Sequence, residues 1–368
     1  QDEKGYNFQQ IKSIEELCVV FKDYFIGIIT TDDSLRQDGW HSATSDAAGV
    51  IAGLADCIPL HRDFAQQIST VTGLPIKKSV LISNNGNEIT VNTELDVIAK
   101  QFSTYTQMYN WLFEEVKTLV NPAEYMSLTI SSFDYAVRNK MLYFRLFPFS
   151  SPVTDLELYD RINNYYEKNH SGYIRTYGYV DVPEHKGFAK VALAGGVLSV
   201  TDSVSNMSFF ASAPSSSKYY RQKADMKYKD IKYDPDKIYV TFMASEGDTL
   251  KAPFTFQFGA WHDKNRPDVP VNYGVQARIA EDFPLIAEYY YSSATPNNYF
   301  FTSGSSFFGF TLLHLLPDDA YRELAEDTRR ISRIADQTYI DFYHIFEEMG
   351  TLNDVSAKKY ADFAYLTG

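Results

Sequence analysis

Two acidic residues lie on either side of a glycine in the segment 245–249 of this chain. Glu246 and Asp248 follow residues 237–244, a run of β-branched and aromatic residues that predicts a buried strand. In α/β folds, ligands bind and catalytic loops assemble at the carboxyl ends of strands. Gly247 allows backbone conformations closed to other residues, so both carboxylates can turn toward one point. The pattern predicts a functional acidic turn; the alternative is a solvated surface turn.

Asp202 is a third acidic residue that follows a predicted strand, at residues 197–201. Glycoside hydrolysis uses two carboxyl groups, one that protonates the leaving oxygen and one that acts as nucleophile or base. Glu246 has the longer side chain and is the candidate acid, with Asp248 or Asp202 as its partner. A turn or helix-cap role is the alternative for Asp202. Asn206 is a candidate sugar-binding amide, with loop capping as its alternative.

Several segments between residues 239 and 310 follow, in the same order, the pattern of the C-terminal domain of the GxGYxYP family, a group of putative glycoside hydrolases. Residues 245–249, S-E-G-D-T, resemble the S-D-G-D-N turn of that family. Upstream, residues 201–208, T-D-S-V-S-N-M-S, resemble its S-D-Y-x-x-N-L-S segment. Further matching segments are Trp261 and residues 269–271 and 289–300.

The resemblance implies a hydrolase that acts on glycans, and it places the naming motif of the family at residues 304–313. Only Gly309 keeps its motif identity. The other named positions are occupied by Phe307, Phe310, Leu312 and Leu313. Loss of the tyrosines removes phenolic hydroxyls that a sugar site would use as hydrogen-bonding groups. The substitutions predict a narrower, more apolar pocket in which hydrolysis of the ancestral substrate is impaired.

Five further residues in or beside the matching segments carry amide, hydroxyl, imidazole or aromatic groups, and we expect them to bind the substrate. They are Asn206, Trp261, His262, Ser306 and Phe310. Aromatic rings provide flat apolar faces on which a sugar ring can stack. The seven histidines show no metal-binding spacing, so no histidine metal site is predicted.

Three interpretations of function stay open at this point. The first is a glycan-acting hydrolase with a diverged site. The second is a non-catalytic relative that binds carbohydrate or another protein, as the altered motif and the 28 tyrosines indicate. In the third, Glu246 and Asp248 hold a divalent cation, as in sugar transfer, because carboxylates suit Mg²⁺, Mn²⁺ and Ca²⁺. The chain lacks a glycine-rich nucleotide loop to accompany that third role; no other cofactor is predicted.

Charge and hydropathy narrow the possible partners. The 368 residues carry a formal net charge of −13, which argues against nucleic acid and anionic membranes as partners. No apolar run approaches the roughly 20 residues that cross a bilayer, so no membrane insertion is predicted. A start at Gln1 is compatible with a processed protein that is secreted or periplasmic. Cys18 and Cys57 form either one disulfide or two buried thiols.

The elements that must position these residues follow two patterns. Up to residue 120 the sequence predicts a smaller α/β domain, with helices at 13–24, 45–54 and 94–120 and strands at 25–30 and 78–83. Over residues 121–368, strands at 141–147, 173–179, 197–201, 238–244, 271–276, 298–302 and 340–346 alternate with helices, best marked at 153–167, 278–291 and 318–338. Alternation of this kind implies a parallel sheet. We therefore predict a parallel (β/α) barrel-like domain, similar to a TIM barrel but seven-stranded or incomplete.

Overall fold

The computed structural model describes residues 10–36, 41–84, 86–129, 131–150, 153–223, 232–244, 250–304, 306–342 and 354–367. The chain forms two compact units. One comprises Gln1–Asn121 with Val137–Phe144, and the other comprises Pro122–Ala136 with Arg145–Gly368. Both units contain helices and parallel strands, which confirms the predicted mixed α/β class.

Strands and helices alternate along much of the chain. The strands are β1 Gly27–Thr31, β2 Cys57–His61, β3 Ser79–Asn84, β4 Asn87–Asn92, β5 Glu124–Ser127, β6 Leu142–Phe144, β7 Ile174–Gly178, β8 Gly196–Val200, β9 Met243–Ala244, β10 Val271–Gly274, β11 Asn298–Ser303 and β12 Ile340–Asp341. The helices are α1 Ile14–Phe21, α2 Ala43–Ala55, α3 Arg62–Thr72, α4 Leu95–Ala99, α5 Tyr105–Val116, α6 Phe133–Arg138, α7 Val153–Asn169, α8 Glu184–Leu193, α9 Met207–Ser212, α10 Lys251–Phe254, α11 Phe256–Trp261, α12 Ile279–Asp282, α13 Pro284–Ser293, α14 Asp318–Ala335 and α15 Asp354–Thr367. Short 3-10 helices are Lys22–Tyr24 and Arg266–Asp268.

In the first unit, β1 and β2 pair in parallel and β3 and β4 form an antiparallel hairpin. The predicted alanine-rich helix is α2, which is buried along most of its length. Cys18 and Cys57 are both free and buried. Burial raises the pKa of the Cys57 thiol to about 11, because the thiolate would be poorly solvated there.

The single helix predicted over residues 94–120 is wrong, because the chain makes two helices there, α4 and α5. Thr104 and Gln107 explain the break. The Thr104 hydroxyl accepts from the Gln107 backbone N–H, and the Gln107 side chain accepts from the Thr104 N–H. This reciprocal capping box starts a new helix, which apolar periodicity alone does not reveal.

In the second unit the strands form two parallel groups. In one, β7 lies between β5 and β8, with Glu124 opposite Arg175 and Ile174 opposite Gly196. In the other, the order is β12-β11-β10-β9. An isolated antiparallel bridge joins Leu198 of β8 to Phe310, which follows β11 in the chain. Strand β5 was not predicted from the sequence.

Two helical predictions in the second unit have different outcomes. The helix α14 starts directly after Pro317, and Asp318 and Asp319 occupy its first turn, as predicted. The helix predicted over residues 278–291 is instead two helices, α12 and α13. Pro284 begins the second, because proline has no N–H to continue the hydrogen bonds of the first.

The buried strand predicted at residues 238–244 is also wrong. Only Met243 and Ala244 are in a strand, which pairs with β10. Ile238 and Val240 are 93% and 70% exposed. Among the described strands, β9 is at the edge of its group, and no described strand lies along its other side. Residue types that favour strands are therefore not sufficient to bury the segment 238–242. No helix within the described residues is long and apolar enough to span a membrane.

Candidate functional site

The predicted acidic turn, with Glu246 and Asp248, lies at residues 245–249, outside the residues that the structure describes. Its flanks are described. On one side Ala244 ends β9, and on the other Leu250 is fully buried directly before α10. In the sequence, residues 245–249 therefore connect the carboxyl end of β9 to α10.

Asp202 lies in the turn after β8, where it forms an ion pair. Its Oδ1 is 3.3 Å from Nζ of Lys251, the first residue of α10, and the two side chains are 32% and 23% exposed. Lys251 follows Asp248 by three positions in the sequence. The ion pair thus brings the carboxyl end of β8 beside the helix that follows the acidic turn.

Hydroxyl groups gather beside Asp202, at the carboxyl ends of β5 and β8. The side chains of Thr129, Ser131 and Ser132 each lie 3.3 Å from the Thr201 carbonyl oxygen. A carbonyl oxygen has two lone pairs, so the three hydroxyls cannot all donate to it at once. Ser131 also lies 2.9 Å from the Asp202 carbonyl oxygen. Thr129, Ser132 and Thr201 are buried, so this polar cluster lies mostly beneath the surface beside Asp202.

Asn206 is an exposed residue at the start of α9. Its backbone is left-handed, with φ 57°, and its side chain makes no capping hydrogen bond. Asp134 caps the helix instead, since the Ser208 N–H donates to its Oδ2 at 2.9 Å. The amide of Asn206 therefore does not cap α9.

Trp261 is buried, with 2% exposure. Its Nε1 donates to Ser293 Oγ at 2.9 Å. The Arg266 guanidinium lies 4.1 Å from the ring centroid, and the Phe300 ring stacks at 5.6 Å. These contacts place the indole among protein groups in the core, away from any surface where a sugar could stack.

His262, the next residue, is exposed and lies on the surface. Its Nε2 is 3.0 Å from the Tyr289 hydroxyl, and its Nδ1 is 2.8 Å from the Phe258 carbonyl oxygen. Both ring nitrogens thus have protein partners that fix the orientation of the imidazole.

Ser306 and Phe310 are both buried and bonded to their own chain. Ser306 Oγ donates to the Gly309 carbonyl oxygen at 2.8 Å and accepts from the N–H groups of Phe308 and Gly309. Phe310 exchanges two backbone hydrogen bonds with Leu198, of 2.7 and 2.8 Å. Neither side chain faces solvent, and their contacts with a substrate stay a prediction.

Gly309 shows why the motif segment needs a glycine at this position. Its φ is +155°, and an added Cβ would lie 2.4 Å from the Leu198 carbonyl oxygen. The glycine thus permits close approach of the motif segment to β8. The residues that replace the other motif positions are all buried, namely Phe307, Phe310, Leu312 and Leu313.

Arg278, which the sequence reasoning missed, is fully buried just beyond β10. Its guanidinium donates to the Phe308 carbonyl oxygen at 2.7 Å, to the Tyr177 hydroxyl at 2.8 Å and to Asp282 Oδ2 at 2.7 Å. One cation therefore joins the motif segment to β7 and to α12. A charged residue inside an apolar run, with an acid four positions later, is the signal that could have identified it.

A second charged pair lies between neighbouring strands of the same unit. Glu124 Oε1 of β5 is 3.7 Å from Arg175 Nη1 of β7. Burial raises the pKa of Glu124, and the cations Arg175 and Arg278 oppose that shift. Among the described residues, no group of three or more histidine, cysteine, aspartate or glutamate side chains is placed to hold a metal ion.

Comparisons with known proteins agree with this description. Residues 236–365 match the model of the GxGYxYP putative glycoside hydrolase C-terminal domain, which confirms the family resemblance predicted from the sequence. The fold matches the crystal structure of a putative hydrolase from Bacteroides thetaiotaomicron, with a TM-score of 0.69 and 15% identity. That match covers 89% of this chain and 58% of the other, so this chain spans little more than half of its length. No curated protein matches the chain.

Proposed function

We propose that this chain, whose residues 236–365 match the model of the GxGYxYP putative glycoside hydrolase C-terminal domain, is a glycan-acting hydrolase with a diverged, weakly active site. Glu246 is the general acid, and Asp248 is the nucleophile or base. Asp202, at the carboxyl end of β8, supports the pair. The substrate class follows from the family, and an extracellular or periplasmic location would suit it.

The ion pair between Asp202 and Lys251 is the observation that carries this proposal. It holds the helix that follows the acidic turn against the carboxyl end of β8, at 3.3 Å. Because catalytic groups in α/β folds gather where several strand ends meet, the ends of β8 and β9 are the best-supported place for the chemistry. The half-buried Ser131, whose hydroxyl donates to the Asp202 carbonyl oxygen at 2.9 Å, adds a polar group beside these strand ends.

The proposal of weak activity rests on the motif segment. Residues 306–313 use their polar atoms on one another and on β8. They offer buried phenylalanine and leucine side chains where the family motif has tyrosines. Apolar side chains cannot satisfy the hydroxyls that they desolvate, so a large polar glycan would bind poorly beside them.

We further propose that the two parallel groups of the second unit are parts of one barrel-like wall. Support comes from Phe310, whose backbone pairs with Leu198 on β8, while the segment that carries it follows β11. The edge at β9, which has no described neighbour on its other side, would then be a gap of the kind that the sequence predicts for an incomplete barrel.

The test is hydrolysis of a broad panel of defined oligosaccharides by the purified chain. We expect slow turnover that falls by about a hundredfold to ten-thousandfold in Glu246→Gln and Asp248→Asn. The matched control is Asp263→Asn, an exposed acid whose carboxylate accepts a local bond from the Asn265 N–H; it should leave turnover unchanged. Turnover that persists in both site variants would contradict the assignment.

The second candidate function is carbohydrate binding without catalysis. The specific observation that favours it is the burial of the motif side chains, including Ser306 and Phe310. Glycan binding by a chain that hydrolyses no member of the panel would support this function.

A divalent cation at Glu246 and Asp248 would be detected as turnover that is lost with a chelator and restored by Mg²⁺ or Mn²⁺.

A further inference from the structure

Two fully buried glutamines lie close to the carboxyl end of β10, and they differ in the hydrogen bonding of their side-chain amides. Gln337 Nε2 donates to the Val275 carbonyl oxygen at 3.0 Å and lies 3.1 Å from the Tyr291 hydroxyl. Its Oε1 accepts from Thr302 Oγ1 at 2.8 Å. Gln276, the residue directly after Val275, has no hydrogen-bond partner among the described residues at either Nε2 or Oε1.

An unpaired amide in the interior lowers stability, because the group loses its bonds to water and gains none from the protein. Methionine has nearly the same length and shape as Gln276 without that penalty. Natural proteins satisfy most of their buried polar groups, and the exceptions collect at functional sites. The amide of Gln276 is therefore a candidate for contact with a group from outside the chain.

The backbone around Gln276 is held firmly in place. The Val275 N–H donates to the Phe301 carbonyl oxygen at 2.8 Å, and the Ala277 N–H donates to Thr302 Oγ1 at 3.0 Å. On the other side, the Ile279 N–H donates to the Gln276 carbonyl oxygen at 3.2 Å. These bonds fix the residue at the strand end next to β9, and such rigid support is what a recognition residue requires.

We infer that Gln276 is a specificity-determining residue that hydrogen-bonds adjacent hydroxyls of a carbohydrate at the strand ends. This inference rests on the proposed glycan substrate. A primary amide presents an acceptor oxygen and a donor nitrogen side by side, and neighbouring sugar hydroxyls can donate to one and accept from the other. Gln276 is closed to solvent in this structure, so a sugar reaches its amide only from a state in which that amide is exposed, and the rarity of that state lowers the apparent affinity.

The first measurement is thermal stability. Gln276→Met should melt at the same temperature as the parent chain or slightly higher, because an unpaired amide is removed. Gln337→Met is the matched control and should melt about 5 °C lower, because it leaves the partners of a paired amide unsatisfied. A loss in Gln276→Met as large as that in Gln337→Met would overturn the inference, and Gln276→Leu repeats the comparison with a different shape.

The second measurement is binding to an array of defined oligosaccharides, in the Glu246→Gln/Asp248→Asn background so that nothing is consumed. Titration calorimetry then follows the strongest binder. We expect Gln276→Met to bind about tenfold to a hundredfold more weakly, and Gln66→Met, an exposed glutamine of the first unit, to bind as the background does. Equal affinity in Gln276→Met would show that the amide does not contact the sugar, which refutes the role.

The outcomes separate this inference from the proposed function. If the parent chain hydrolyses glycans while Gln276→Met keeps the same KM and affinity, the inference fails and the function stands. If no sample hydrolyses the panel but Gln276→Met alone loses binding, the recognition role stands and catalysis fails. Absence of both binding and turnover in every sample overturns both.

Discussion

Within the second unit, residues 306–313 and the residues that follow β8 and β10 satisfy their polar groups very differently. In the first region, Ser306 makes three local hydrogen bonds and Phe310 exchanges two with β8. In the second, the Asp202 carboxylate has a partly exposed ion pair with Lys251, and the Gln276 amide has no partner among the described residues.

This difference in hydrogen bonding distinguishes polar groups that stabilise the fold from polar groups that are available to bind a ligand. Polar groups that are fully bonded within the protein have nothing left to offer a substrate, whereas groups with few partners gain most from one. The segment that carries the family name, residues 306–313, acts in this chain as a brace between β8 and the segment after β11. Substitutions in the brace should therefore change stability, and substitutions at the strand ends should change binding.

The largest effect is expected at Arg278, which ties the brace to β7 and α12. Arg278→Met should lower the free energy of unfolding by about 3–5 kcal/mol. It removes the nearer of two cations from Asp282, whose side chain is only 11% exposed, and leaves Arg175 at 3.9 Å. Arg330→Met is the control, since Arg330 pairs with Glu281 at the surface and should cost about 0–1 kcal/mol. Urea unfolding measures the loss of stability in each variant. Similar losses in the two variants would show that Arg278 contributes no more to stability than the surface residue Arg330.

A smaller loss is expected at Gly309. Gly309→Ala should lower the free energy of unfolding by about 1–3 kcal/mol, because the added Cβ meets the Leu198 carbonyl oxygen and strains the backbone. In Gly259→Ala the new Cβ meets nothing within 4 Å, so that helical glycine serves as the control and should be neutral or slightly stabilising. An unaffected Gly309→Ala would show that the brace tolerates separation from β8.

The smallest change in stability is expected for a substitution at the strand ends, where the larger effect should be on the affinity for oligosaccharide. Lys251→Met should cost less than about 1 kcal/mol, because the ion pair is partly exposed. Oligosaccharide binding on the same array should nevertheless weaken, since α10 loses its tie to Asp202. Lys237→Met, which removes an exposed pair with Asp234, should change neither quantity. A loss of stability in Lys251→Met as large as that in Arg278→Met would show that both regions serve mainly to stabilise the fold.

Parts of this architecture were predicted from the sequence, because short local patterns of residues define them. Strands β7, β8, β10 and β11 lie close to their predicted positions, because compact apolar runs with clear ends define them. The start of α14 after Pro317 follows from proline and acidic residues at a helix terminus. The family resemblance was also found from ordered short segments.

Other features depended on neighbours that no local pattern reveals. Arg278 donates to Tyr177, which is 101 positions earlier in the chain, and Trp261 is covered by Arg266 and Phe300. Residue type marked Trp261 as a stacking platform, but burial decided otherwise. Gln276 gave no signal in the sequence, because only the bonds among the surrounding described residues show that its amide takes part in none of them.

The exposed residues before β9 have a practical consequence for handling the protein. Ile238, Val240 and Phe242 are apolar side chains open to water, on a segment that leads into the last described strand of its group. Exposed apolar segments at a sheet edge promote pairing between copies of a chain, and flanking charges such as Lys237 oppose it. The net charge of −13 keeps molecules apart at long range. At high concentration and high salt, where that repulsion is screened, self-association through this segment should limit solubility.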